Sequence, residues 1–165
     1  MAQKFTRLRC YCFFVSAAED LTGFLAKYDP PVRRLAEDVL RAMRKRYPSA
    51  VQLVYDNYNA LVVGFGPTER ASDAVFSIAL YPRWVTLFFL RGASIADPHN
   101  LFKGSGKIVR HIVLGAASDL DEPRIASLME AAVAQAGEPF ASKPKGKLVI
   151  KSVSAKQRSR RPSAL

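Results

Sequence analysis

Neither end of this chain carries an acidic residue. Residues 1–18 hold three basic and no acidic side chains; residues 139–165 hold eight basic ones (Lys143, Lys145, Lys147, Lys151, Lys156, Arg158, Arg160 and Arg161) and no acidic one. The intervening segment, residues 19–138, carries fourteen of each sign, so the formal net charge of +11 belongs entirely to the two ends. Cysteine is scarce as well. Cys10 and Cys12 are the only two in 165 residues, which excludes a disulfide framework and points to a reducing, cytoplasmic setting. No run reaches the about 18 apolar residues that a membrane span requires, so no membrane partner is expected. The apolar stretch Tyr11–Ala18 follows Lys4, Arg7 and Arg9, but it is short, lacks an A-x-A-like cleavage site and runs into Glu19 and Asp20. It reads as an N-terminal extension, with an edge strand as one form, and not as a signal peptide.

Several familiar motifs are missing. Gly106-Lys107 is followed by Ile108 and position 101 is Leu, so no Walker A loop exists. Gly104 and Gly106 begin a G-x-G-x-x-G pattern that fails at Val109, and Ser105 is flanked by lysines where a nucleophile elbow has glycines. Cys10, Cys12, His99 and His111 match no common zinc spacing, and the same scatter argues against a Cys–His nucleophile pair. The acid pairs Glu19-Asp20, Glu37-Asp38 and Asp121-Glu122 sit at expected helix starts or polar helix faces, where dipole effects explain them. Aromatic and basic residues do not interleave as they do on an RNA-binding sheet. No catalytic residue, metal ligand or cofactor is expected, and the chain reads as a non-enzyme.

What is present organises into helices and strands. In "DPPVRRLAEDVLRAMRKRYP", Val32, Leu35, Ala36, Val39, Leu40, Met43 and Tyr47 make one apolar stripe at helical spacing, with Asp29 as cap and Pro30 in the first turn. "DEPRIASLMEAAVAQAG" repeats the pattern with Ile125, Leu128, Met129, Ala132, Val133 and Ala136. Between them "VQLVY", "ALVVGF", "AVFSIALY", "WVTLFFL" and "IVRHIVL" read as strands, the third and fourth joined through Pro82-Arg83. A helical turn is expected from Asp97-Pro98 to Gly104. Residues 147–153 read as a last edge strand within the basic tail. The organisation expected is an extension at 1–18, an α+β domain at 19–138 and the tail at 139–165. Its fold class is a two-layer antiparallel sheet of five or six strands with helices on one face. The strand pair 74–90 is apolar on both sides, so the face without helices should expose aromatic surface and pair in a homodimer; the alternative is that residues 1–18 or the C-terminal strand fold over it.

The candidate binding residues are Lys103, Gly104, Ser105, Gly106, Lys107 and His111. The glycine-flanked turn offers backbone N–H groups beside cations, an anion nest. Strand alternation puts Lys107 and His111 on one face, joined by Lys103, and sends Arg110 to the other. The alternative is a solvated turn whose glycines serve only to bend the chain. The tail binds nucleic acid or other polyanions by displacing their counterions; its alternative is a solubilising tail with no specific partner.

The segments "YDNYNALVVGFGPTE", "FSIALYPRWVTLFFLRGA" and "DPHNLFKGSGKIVRHIVL", followed by a closing helix, resemble the YdhG-like family of uncharacterised small bacterial domains over residues 20–136. "KGSGKIVRHI" is the most specific element, and "LVIKSVSAKQRSRRP" resembles a longer subgroup. The resemblance implies a secretion-chaperone-like α+β fold and no assigned activity. For some relatives it implies a frataxin-like iron-chaperone role in iron–sulfur cluster assembly, which requires clustered carboxylates that this basic chain lacks. The reading is therefore a small binding module for an anion, nucleotide or nucleic acid. An iron chaperone and a dimeric protein-interaction module are the alternatives.

Overall fold

The computed structural model describes residues 16–136, 140 and 146–162. Helix α1 (Ala17–Leu25) starts at a capping box. Ser16 Oγ accepts from the Glu19 N–H at 3.2 Å, and Glu19 Oε2 accepts from the Ser16 N–H at 2.7 Å. The expected boundary between residues 18 and 19 therefore cuts through a helix. The rest of the expected N-terminal extension, with Cys10 and Cys12, lies outside the described residues.

Helix α2 (Pro30–Arg46) forms where its stripe predicts, burying Val32, Ala36, Val39, Leu40 and Met43. Asp29 occupies the cap position but makes no side-chain cap bond. Strands β1 (Val51–Asp56), β2 (Leu61–Gly66), β3 (Phe76–Leu80), β4 (Val85–Phe89) and β5 (Arg110–Leu114) form an antiparallel meander. Helix α3 (Pro123–Gln135) follows and crosses back to the far edge, where β6 (Leu148–Val153) pairs with β1. That pairing is parallel, so the six-stranded sheet, ordered β5-β4-β3-β2-β1-β6, is mixed and not wholly antiparallel as expected. The helix returns the chain to the end of the sheet from which β5 set out, and the next strand must then run in the same direction.

Residues of all three helices join one buried cluster with Val54, Val63, Ile78, Leu87 and Ile112, which lie in register across the sheet. Phe76 and Phe89 stack edge to face within it at 5.5 Å. The other face departs from expectation. Leu53, Ser77, Ala79 and Thr86 on it are small or buried, and of its aromatics Phe88 is half-buried beside His111. Among the described residues this face shows no broad exposed aromatic surface, and period two sends Phe76, Ile78, Leu80, Val85, Leu87 and Phe89 to the helix side. The expected helical turn at 97–104 is also absent. Residues 98 and 99 make a tight turn, Asp97 Oδ2 accepts from the Phe102 N–H at 2.7 Å, and a short 3-10 turn lies earlier, at Gly92–Ser94. Among the described residues, no helix is long and apolar enough to cross a membrane.

Candidate functional site

The glycine turn is only partly arranged as its spacing predicts. Lys103 and His111 do meet: the Lys103 N–H donates to His111 O at 2.8 Å and the His111 N–H returns to Lys103 O at 3.0 Å. Gly104 takes a φ of +101°, and a Cβ there would lie 3.2 Å from His111 Nδ1, so glycine is needed twice over. Lys107 does not follow. Strand β5 begins at Arg110, so alternation does not reach position 107, and Lys107 instead lines a shallow groove with Arg91, Ala93, Ser94 and Ile108. Arg110 does not turn away from the loop either. Its Nη1 donates to the carbonyls of Gly106 and Val109 and staples the turn. Ser105 and Gly106 are exposed.

The basic tail is not a free chain of charge. Lys143 and Lys145 lie outside the described residues. Lys147 pairs with Glu69 at 2.6 Å, and Lys151 reaches the Glu69 carbonyl at 3.4 Å. Lys147 holds the Glu69 carboxyl below its ordinary range by hydrogen bond and charge. After β6 the chain runs on as a strap over the β1–β2 turn. The Ser154 N–H donates to Asp56 O and the Arg158 N–H to Tyr58 O, each at 2.9 Å. Arg160 is buried at the centre of this contact. Its Nη2 meets Asp56 Oδ1 at 2.8 Å and also donates to Asn57 O, Nη1 reaches Tyr58 O at 3.3 Å, and the guanidinium lies 5.7 Å from the Tyr28 ring centre. Lys27 supplies a second cation to Asp56 at 2.6 Å and binds Gln157 Oε1 at 2.9 Å. Arg160 is therefore a structural anchor, unavailable to a polyanion, because burial with a carboxylate consumes its charge. Lys156 stays exposed.

Anchoring the strap creates a site that no motif indicates. Asn59 from the β1–β2 turn, Tyr81, Pro82, Arg83 and Trp84 from the β3–β4 turn, and Arg158, Ser159, Arg161 and Pro162 from the strap line a groove of about 590 Å³. The Tyr81 N–H donates to Trp84 O at 2.9 Å and closes the tight turn. The Trp84 indole is 45% exposed, with the Tyr81 ring 5.5 Å away and tilted by 31°. Arg83, Arg158 and Arg161 are all exposed. Arg161 comes within 3.6 Å of Asp29, while among the described residues Arg83 and Arg158 pair with no carboxylate. The expectation that aromatic and basic residues stay apart holds along the strands and fails at this turn. The local signal was the tetrapeptide Tyr81-Pro82-Arg83-Trp84; the two strap arginines arrive from more than seventy positions later.

Among the described residues, no group of three or more His, Cys, Asp or Glu is placed to hold a metal ion. No family model matches the chain, and no curated protein or solved structure matches it significantly. The site is therefore read from its own chemistry.

Proposed function

We propose that this chain is a non-enzymatic binding module for phosphate-bearing anions, and that the ligand occupies the groove between the β3–β4 turn and the strap. One observation carries the reading: three exposed guanidinium groups, from Arg83, Arg158 and Arg161, converge on one concave surface. Guanidinium forks match phosphate oxygens with paired hydrogen bonds, and arginine cannot lose its charge at any physiological pH. The groove lining is dominated by guanidinium and aromatic groups, the chemistry of binding an anion, and this is why the reading is of a binding module. The glycine turn is the weaker candidate, because Lys107 lies apart from Lys103 and His111 and Arg110 is tied to the carbonyls of Gly106 and Val109. The iron-chaperone alternative finds no carboxylate cluster among the described residues. We carry the YdhG-like resemblance and its secretion-chaperone-like fold forward as part of this reading, resting on the quoted segments and the open mixed sheet.

The test is an NMR titration of the whole chain with inorganic pyrophosphate. Resonances of Arg83, Arg158 and Arg161 should shift together, and the double charge reversal Arg83→Glu with Arg158→Glu should remove the shifts. Shifts confined to Lys103, Lys107 and His111 would move the site to the glycine turn and overturn the proposal.

A further inference from the structure

We infer that the anion taken by this groove is a single-stranded nucleic acid, with one base stacked on Trp84 and its phosphates facing Arg83, Arg158 and Arg161. The inference rests on the phosphate reading above and adds to it the aromatic half of the site.

Phosphate recognition alone leaves Trp84 unexplained. The domain fully buries Tyr28, Phe65, Phe76 and Phe89, yet leaves its single tryptophan 45% exposed on a tight turn. That indole is not loosely held. Pro82 restricts the turn, the Tyr81–Trp84 backbone bond closes it, and the Tyr81 ring braces it. A second exposed ring, Tyr58 at 51%, sits on the neighbouring β1–β2 turn, whose carbonyl is tied down by the Arg158 N–H. A rigid aromatic face beside fixed cations is the combination that binds unpaired bases: the π-face stacks and the cations follow the backbone.

A duplex does not fit this arrangement. Its bases are stacked on one another, so none can reach Trp84 without being unstacked. The lining comes from two hairpin turns at one end of a continuous sheet and from the strap, with no helix residue among it, so it presents no recognition helix to a major groove. A lone mononucleotide shares the base and phosphate chemistry, but it uses one phosphate site where three arginines are spread over two elements.

Trp84 is the only tryptophan, so intrinsic fluorescence reports the site directly. The probes are an oligothymidylate of about ten nucleotides, within the ~4–16 that one binding fold covers, its duplex with the complementary strand, thymidine monophosphate and heparin. The single strand should quench Trp84 and lose affinity with salt. Heparin, a polyanion without bases, should bind with the same salt dependence and no quenching. The duplex should quench no more than heparin, and the monophosphate should bind far more weakly than the strand. By anisotropy of labelled oligothymidylate, Trp84→Leu should weaken binding about 5- to 150-fold, the loss of one ~1–3 kcal/mol stacking contact, and Trp84→Phe should recover most of it. Equal strand affinity in wild type and Trp84→Leu, or heparin binding with no strand preference, overturns the stacking inference and leaves the phosphate reading standing. A monophosphate bound as tightly as the strand overturns the strand in favour of a mononucleotide. Failure of every probe overturns the phosphate reading itself.

Discussion

Arg160 Nη2 donates to Asp56 Oδ1 at 2.8 Å across 104 positions of sequence, with both side chains shut away from water. The pair joins the end of β1 to the strap and so fixes one wall of the groove. An ion pair in such a place is sustained by its further bonds, here from Lys27 and to the carbonyls of Asn57 and Tyr58. Removing the carboxylate strands the buried Arg160 guanidinium, while Lys27 keeps access to water. Asp56→Ala should therefore destabilise the domain by about 3–5 kcal/mol, read from urea unfolding. Arg160→Ala should cost less, because Lys27 still faces Asp56. A double-mutant cycle should show coupling of about 0.5–3 kcal/mol; additive losses would mean that the pair does not act as one unit.

The same carboxylate sets an acid limit. Burial by itself raises the Asp56 pKa, yet hydrogen bonds from Lys27, Gln157 and Arg160, with the Lys27 charge, outweigh it and hold the group below its ordinary value. The unfolded chain therefore takes up this proton first as pH falls. The contribution of Asp56 is complete above the ordinary carboxylate value of about 3.9 and is lost as pH drops through the lower folded value. The stability gap between wild type and Asp56→Asn should be constant near neutrality and shrink below about pH 4. A gap unchanged in acid would contradict the assignment.

Tyr28 joins the strap region to the sheet. Its hydroxyl accepts from the Leu61 N–H at 2.9 Å and donates to Leu80 O at 3.0 Å, both out of water. Tyr28→Phe leaves those backbone groups unsatisfied and should cost about 1–3 kcal/mol. Burial pushes this phenol up to about 12, against about 10 in the unfolded chain. Its contribution is complete below the unfolded value and lost as pH rises toward the folded one. Alkaline titration of stability should show that loss in wild type and not in Tyr28→Phe.

The strap and the last strand should separate on truncation. A chain ending at Val153 keeps β6 and the sheet but loses Arg158, Arg160 and Arg161. Far-UV circular dichroism should stay close to wild type, stability should fall, and pyrophosphate binding should vanish. Undiminished binding by that truncation would place the site elsewhere.

Gly146 controls the entry of β6. Its N–H donates to Pro48 O at 2.8 Å, and a Cβ there would sit 1.9 Å from Ala50 O. Gly146→Ala must push the strand off β1, at a cost of about 1–3 kcal/mol. Hydrogen exchange should show the loss at Val149 and Ile150 first, while the amides of β3 and β4 keep their protection.

Local periodicity in the sequence is enough to determine two of the three described helices and the strands, but helix α1, which crosses the expected boundary at residues 18 and 19, is not read from it. The stripes in 30–46 and 123–135 specify helices because one face must leave water, and the alternating runs from 51 to 114 specify strands for the same reason. The tight Pro82-Arg83 link and a last strand within 147–153 are legible on the same grounds. Charge placement at the two ends is also a property of the sequence alone. The direction of β6 is not, because it follows from where helix α3 delivers the chain. The fate of the tail is not legible either: Arg160 reads as one more solvated cation until Asp56 is brought beside it. Lys107 reads as a partner of His111 only if the strand begins three residues earlier than it does. The groove itself is wholly tertiary. Trp84 and Arg158 lie 74 positions apart, no local period couples them, and only the folding of the strap onto the end of the sheet sets an indole beside guanidinium groups.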